Sequence, residues 1–240
     1  MPEPIRQIFA FSGVLNYDGN GKPPFMLIEH AVGLAGIEPG APVRICYIPT
    51  AIGDQQTAIE AQTETFQTRI PGAQFSTLRL FTQPSFPDIR EHLLAQDVIF
   101  VEGGSVVNLM AIWRVHGLRP ILRECWEQGI VLTGVSAGSI CWHLGGPTDS
   151  YSDALDPFDD GMGILPYSNG VHDDFPEQPR REIYRRYVDE GKCAPGYASE
   201  DGVGLHYIGT ELHEAVTVVD GKTGWWVEPG RAVPVPTRLL

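Results

Sequence analysis

The chain has 240 residues, of which 42% are hydrophobic and 20% charged, so it can bury a full core and is not a disordered, fibrous or coiled-coil protein. Its formal charge of −13 opposes binding to nucleic acid or anionic membranes, both of which require a basic surface. We therefore expect a single domain over residues 1–240, with no nucleic-acid partner and no membrane association.

The cysteines and the amino terminus indicate the compartment. Cys46, Cys125, Cys141 and Cys193 are widely spaced and include no CxxC pair, which favours reduced thiols over disulfides. The first six residues contain an acid and two prolines, and no long apolar run follows them, so a signal peptide or membrane anchor is not indicated. The sequence predicts a cytoplasmic protein.

Short apolar, β-branched runs alternate with longer amphipathic stretches through the first 133 residues. In chain order, the pattern predicts strands at 8–11, 43–48, 75–80, 98–101 and 130–133, and helices at 26–34, 57–70, 89–94 and within 106–127. This alternation is typical of the α/β class, in which a parallel sheet is flanked by helices on both faces.

The pattern changes after residue 145. Residues 146–169 are rich in Asp, Pro, Gly and Ser and predict a long ordered loop. A helix is expected at 179–190, followed by short strands at 203–208, 215–219 and 224–227. These strands predict a short antiparallel extension at the carboxyl-terminal edge of the sheet.

One motif carries the chemistry of a nucleophile. Ser136 lies in Gly134-Val135-Ser136-Ala137-Gly138, directly after the strand 130–133 and before an apolar run, as a nucleophile elbow requires. Glycine on both sides removes side chains that would clash in so sharp a turn. We expect Ser136 to be the nucleophile and the N–H of Ala137 to stabilise an oxyanion.

A second turn, Glu102-Gly103-Gly104-Ser105, follows the strand 98–101. Ligands bind beyond the carboxyl ends of parallel strands, so the amides of Gly103 and Gly104 are candidates for the other half of an oxyanion hole. The alternative is a tight turn that uses glycine only for its positive φ. Phosphate binding is disfavoured, because neither GxGxxG nor GxxxxGK[ST] is present.

A serine nucleophile needs a base and an orienting acid. Of the seven histidines, His172 is favoured as the base, because it lies in a polar loop after a short apolar run. The acid remains open between Asp149, Asp153, Glu200 and Asp201. Asp149 is preferred, because it keeps the chain order Ser, Asp, His of α/β hydrolases.

Several of these motifs together resemble the peptidase E group of serine peptidases, which includes aspartyl dipeptidases and, more distantly, cyanophycinases. The resemblance rests on the stretches 100–104, 109–117, 134–139 and 148–150, and on His172 ahead of an Arg-containing helix. The resemblance implies a class I glutamine-amidotransferase-like (flavodoxin-like) fold, with serine replacing the elbow cysteine, and cleavage of dipeptides with an N-terminal aspartate without metal or cofactor. It places the family's functional residues on Ser136, His172, Asp149, Gly103, Gly104 and Ala137.

The chain departs from that family at the second turn, where Glu102 stands in place of a third glycine and Ser105-Val106 in place of Asn-Thr. Glu102 would repel an acidic substrate unless it binds the substrate's free amino group. Arg180 or Arg181 is expected to bind a substrate carboxylate bidentately, the alternative being a solvated helix face.

The expected partner is therefore a small peptide, bound by a monomer or a homodimer. Two other functions are compatible with the same residues: an esterase or amidase acting on a non-peptide or branched-peptide substrate, and a catalytically silent binding protein. A metallopeptidase is disfavoured, because the sequence has neither HExxH nor clustered Cys and His ligands.

Overall fold

The computed structural model describes residues 3–13, 25–38 and 40–240, which form seven α-helices, one 3₁₀ turn and fourteen strands. The strands are β1 (Gln7–Phe11), β2 (Arg44–Ile48), β3 (Gln74–Thr77), β4 (Val98–Val101), β5 (Val131–Val135), β6 (Gly146–Thr148), β7 (Asp156–Phe158), β8 (Ser168–Val171), β9 (Gly196–Ser199), β10 (Val203–Ile208), β11 (Glu211–Thr217), β12 (Gly224–Glu228), β13 (Arg231–Val235) and β14 (Thr237–Leu239). The helices are α1 (Phe25–Gly33), α2 (Gln56–Arg69), α3 (Ile89–Leu94), α4 (Val106–Val115), α5 (Leu118–Glu127), α6 (Ala137–Ile140) and α7 (Arg180–Asp189), and the 3₁₀ turn is Thr50–Ile52.

An eight-stranded sheet forms the centre, in the order β14-β11-β10-β1-β5-β4-β2-β3. Five neighbouring strands of this sheet run parallel to one another: β1, β5, β4, β2 and β3. Strand β10 pairs antiparallel with β1, and β11 pairs antiparallel with β10. The predicted antiparallel extension is therefore present as β10 and β11, although β14 then pairs parallel with β11. The third strand predicted for it, 224–227, lies instead in a second sheet as β12.

Both faces of this sheet are covered by buried side chains. Successive residues of each strand point to opposite sides, so each strand contributes to both faces. In β1, Ile8 belongs to a buried cluster on one side and Phe9 to a cluster on the other. Helix α4 contributes Trp113 to the first cluster, whereas α2 contributes Phe66 to the second. The predicted α/β class, with helices on both faces, is confirmed.

A second sheet, in the order β13-β12-β9-β8, contains three strands that were not predicted, β8, β9 and β13, and β8 runs parallel to β9. The prediction of a long ordered loop over 146–169 is wrong where β6 and β7 pair as an antiparallel hairpin. Regular backbone pairing satisfies buried polar groups in this glycine- and proline-rich stretch.

The helical stretch 106–127 is divided at Gly117, whose φ of 66° lies in the left-handed region and ends the helical path between α4 and α5. Among the residues that the structure describes, no helix combines the length and apolar character needed to cross a membrane. The four cysteines are free and buried.

Phe66 tests the packing of the second cluster. It is 0% exposed, and its ring lies 4.5 Å from the ring of Phe75. Phe66→Ala is expected to lower the free energy of unfolding by about 3–5 kcal/mol, because it removes buried area and leaves a cavity. Phe81, which is 46% exposed, provides the control, and Phe81→Ala is expected to change the same quantity by less than about 0.5 kcal/mol. Equal effects in urea unfolding would contradict the packing described.

Candidate active site

Three neighbouring parallel strands end at the same edge of the central sheet and present polar residues there. Ser12 follows β1, Ser136 follows β5 and Glu102 follows β4. The backbone N–H of Ser136 donates to the carbonyl of Phe11 at 2.9 Å, so the turn after β5 is tied to the end of β1. The candidate site lies at the carboxyl edge, where ligands bind in open parallel sheets.

The turn around Ser136 has the geometry predicted for a nucleophile elbow. A Cβ on Gly134 would overlap the carbonyl oxygen of Gly138, and a Cβ on Gly138 would overlap the carbonyl oxygen of Val101. Ser136 itself has φ 54° and ψ −111°, a backbone conformation that residues with a side chain rarely adopt. The glycine spacing thus permits close backbone packing, and the strain falls on the serine.

Ser136 is linked through His172 to a carboxylate. The Nε2 atom of His172 lies 2.9 Å from the hydroxyl oxygen of Ser136, and Nδ1 lies 2.6 Å from Oδ1 of Asp201. Because a carboxylate only accepts hydrogen bonds, Nδ1 carries the proton and Nε2 accepts from the serine. The side chains of His172 and Asp201 are 4% and 11% exposed, so water competes little for this contact.

The second sheet places the imidazole and the carboxylate together. His172 follows β8 and Asp201 closely follows β9, and these parallel strands are neighbours, with Val171 paired to Ser199. The hydroxyl of Ser12 accepts from the backbone N–H of His172 at 3.1 Å and lies 2.8 Å from the carbonyl of Ser199. Ser12, which the sequence analysis missed, therefore ties the central sheet to the second sheet.

Asp149, the acid preferred from the sequence, does not occupy the predicted position. Its carboxylate accepts a hydrogen bond from Nη2 of Arg180 at 2.6 Å, and its side chain is 44% exposed. The chain-order argument failed because Asp149 follows β6 in the hairpin, whereas the acid beside His172 comes from the strand next to β8. Of the alternatives left open, Asp201 is the one that contacts the imidazole.

The other two candidate acids also lie elsewhere. Asp153 is an exposed residue, and its backbone carbonyl accepts from the side chain of Gln178. Glu200 accepts from Arg181 at 2.5 Å and from the backbone N–H of Thr223 at 3.1 Å. Glu200 and Asp201, although adjacent in the sequence, thus contact different partners.

Neither predicted substrate-binding arginine lines the cavity beside Ser136. Arg180 pairs with Asp149, whereas Arg181 donates to Asp173 at 2.7 Å and to Glu200. Burial raises the pKa of the Asp173 carboxyl, while Arg181 opposes that rise. These contacts connect α7 to the loops near His172 and give both guanidinium groups structural partners.

Glu102 occupies the cavity, as expected, but with partners that the sequence did not reveal. Its Oε2 accepts from the hydroxyl of Tyr47 at 2.7 Å and from Nε2 of Gln62 at 3.2 Å. Its Oε1 accepts from the backbone N–H of Gly103 at 3.0 Å. The predicted oxyanion donor Gly103 therefore has its N–H engaged by the preceding side chain.

The cavity in front of Ser136 has a volume of about 320 Å³, within the range of small-molecule sites. Its described lining combines apolar side chains with polar ones. The lining residues are Phe11, Ser12, Gly13, Ile28, Gln62, Phe100, Glu102, Gly103, Gly104, Val135, Ser136 and His172.

Comparison with known proteins gives consistent matches. The model of peptidase family S51 matches residues 33–215. The uncharacterized peptidase YgaJ of Bacillus subtilis strain 168 is 36% identical over 203 residues, which cover 82% of this chain and 85% of that protein. A crystal structure of a peptidase from an acI-B1 actinobacterium has a TM-score of 0.63 at 17% identity, covering 96% and 97% of the two chains. A candidate peptidase E protein from Listeria monocytogenes EGD-e has a TM-score of 0.59 at 19% identity, covering 87% and 96%.

The strained backbone of Ser136 generates a stability prediction. Ser136→Gly is expected to unfold with a free energy about 1 kcal/mol higher than Ser136→Ala, because glycine adopts positive φ without strain. At Ser76 in β3, whose φ is not positive, the same pair of replacements should rank in the opposite order. Urea unfolding of the four variants checks this, and an Ala variant of Ser136 as stable as the Gly variant would show that the turn is unstrained.

Proposed function

The chain belongs to peptidase family S51 and is a serine-type peptidase, and from that premise we propose that Ser136, His172 and Asp201 are its catalytic triad. The observation that carries the proposal is the continuous hydrogen-bonded path from the Ser136 hydroxyl through both imidazole nitrogens to the Asp201 carboxylate. The strained elbow supports it, because such turns expose a serine at the edge of a sheet.

Each residue has a defined role in the proposed reaction. Ser136 Oγ attacks the scissile carbonyl carbon while Nε2 of His172 takes the hydroxyl proton. The tetrahedral intermediate collapses when the imidazolium gives that proton to the leaving amine, and an acyl-enzyme remains on Ser136. Water, deprotonated by His172, then attacks the ester and releases the acid. Asp201 holds the tautomer in which Nε2 can accept the proton.

Backbone amides supply the proposed oxyanion hole. The N–H of Ala137 follows the nucleophile directly at the start of α6, the position from which elbow enzymes donate to the oxyanion. Gly104 supplies the second proposed donor from the turn after β4, which packs against the 3₁₀ turn so closely that a Cβ would lie 2.5 Å from the carbonyl of Ala51. The Gly103 amide is left out, because it donates to Glu102.

The substrate of this peptidase is a peptide, and we propose a short one, in keeping with the cavity volume of about 320 Å³. The narrower expectation of an N-terminal aspartate came from the family resemblance, with Arg180 or Arg181 as the expected ligand of a substrate carboxylate. The ion pairs of those residues with Asp149, Asp173 and Glu200 do not favour it, so it is not part of the proposal.

The first test is hydrolysis of a dipeptide panel containing Asp-Leu, Leu-Leu, Ala-Leu and Leu-Asp. We expect release of free amino acid from at least one member, measured by chromatography, and complete loss of that release in Ser136→Ala. A folded wild-type protein that cleaves none of them, or a Ser136→Ala variant that retains full activity, would contradict the proposal.

A matched pair of aspartates tests the acid of the triad. Asp201→Asn is expected to lower kcat by about 10³–10⁴-fold, because an amide favours the wrong imidazole tautomer. Asp149→Asn makes the same replacement where the carboxylate contacts Arg180, and kcat should be unchanged. If Asp149→Asn instead gave the larger loss, Asp149 would be restored as the orienting acid.

A further inference from the structure

We propose that Glu102 binds the α-ammonium group of the substrate, so that the enzyme requires a free N-terminus bearing an uncharged side chain. This inference rests on the proposed function of Ser136 and specifies which peptides reach it.

Among the residues that the structure describes, the donors that hold the Glu102 carboxylate in the cavity are neutral. Tyr47, Gln62 and the Gly103 amide occupy three of about four acceptor positions. Burial raises the pKa of Tyr47 and the negative charge of Glu102 raises it further, so this phenol stays protonated and donates. Within residues 3–13, 25–38 and 40–240, no Lys, Arg or His lies within ion-pair distance of Glu102. The described residues therefore orient the carboxylate but do not neutralise it.

The surroundings make a cationic ligand favourable. Phe11, Ile28, Phe100 and Val135 line the same cavity, and a charge beside apolar surface interacts more strongly with an opposite charge than it does in water. An ammonium carries three N–H donors and can use the remaining acceptor position of Glu102. The same carboxylate repels an acidic side chain of the substrate.

Glu102 lines the same cavity as Ser136. The amino group of an N-terminal residue is attached to the carbon next to the scissile carbonyl, so it enters this cavity together with the attacked bond. Gly103 links the two sites, because its amide contacts Glu102 and a Cβ on Gly103 would lie 3.3 Å from Cβ of Ser136.

The charge of Glu102 also makes the reaction itself selective. A carboxylate close to the oxyanion hole opposes the negative charge that develops on the substrate oxygen, unless a cation is bound between them. A substrate with a free ammonium supplies that cation, whereas an N-acylated peptide does not. The pair of Glu102 and ammonium thus favours removal of an N-terminal residue over internal cleavage.

The experiment compares Leu-Leu, N-acetyl-Leu-Leu and Asp-Leu on wild type, Glu102→Gln and Glu64→Gln. We expect wild type to prefer Leu-Leu over both others. Glu102→Gln should lower kcat/KM for Leu-Leu by about 10- to 100-fold, mainly through KM, and should reduce the discrimination against N-acetyl-Leu-Leu and Asp-Leu. Glu64→Gln makes the same charge change on an exposed position of α2 and should match wild type.

Binding provides a readout that does not require turnover. Leucinamide should bind the Ser136→Ala protein by titration calorimetry, N-acetyl-leucinamide should not, and adding Glu102→Gln should abolish leucinamide binding. Wild-type preference for Asp-Leu, or unchanged substrate preference in Glu102→Gln with Ser136-dependent cleavage intact, would overturn this inference and leave the proposed function standing. Glu102-dependent leucinamide binding by a protein that cleaves no peptide would support this inference and overturn the proposed function.

Discussion

The close packing of the Gly138 backbone against the carbonyl of Val101 is the contact on which the site depends. It brings the turn after β5 down onto the end of β4, which leaves no room for a side chain at Gly138. The hydrogen bond from the Ser136 amide to Phe11 fixes the other side of the turn to β1. Ser136 is thereby held by backbone contacts to both neighbouring strands, in a conformation that its own side chain disfavours.

The acidic residues around helix α7 divide into two groups with different physical roles. Asp149, Asp173 and Glu200 pair with arginines, and these pairs join the helix to the hairpin and to the loops after β8 and β9. Asp201 contacts the imidazole of His172 instead. Arg180 and Arg181 each have a carboxylate partner within the protein, so they are better understood as supports of the segments around His172 than as ligands of a substrate.

The sequence predicted the parts of the site that local rules determine. The strand before Ser136 and the glycines around it are encoded within a few residues, and the structure has the turn that they predict. Asp201 could not be separated from Asp149, because that choice depends on the parallel pairing of β8 with β9 across residues 168–199. Those strands are four residues each and contain glycine, so they lack a period-2 apolar signal.

The hydrogen-bond donors that hold the Glu102 carboxylate come from distant parts of the chain. Tyr47 comes from β2, 55 residues earlier, and Gln62 from α2, 40 residues earlier, and both donate to the same carboxylate oxygen. The charge of the Glu102 carboxylate also bears on the proposed reaction at Ser136. In the proposed reaction, Asp201 compensates the positive charge when His172 becomes an imidazolium, and the developing oxyanion faces backbone amides. Glu102 is the remaining charge in the cavity that the described residues leave uncompensated, and a substrate ammonium is the cation that is present only when a peptide with a free N-terminus is bound.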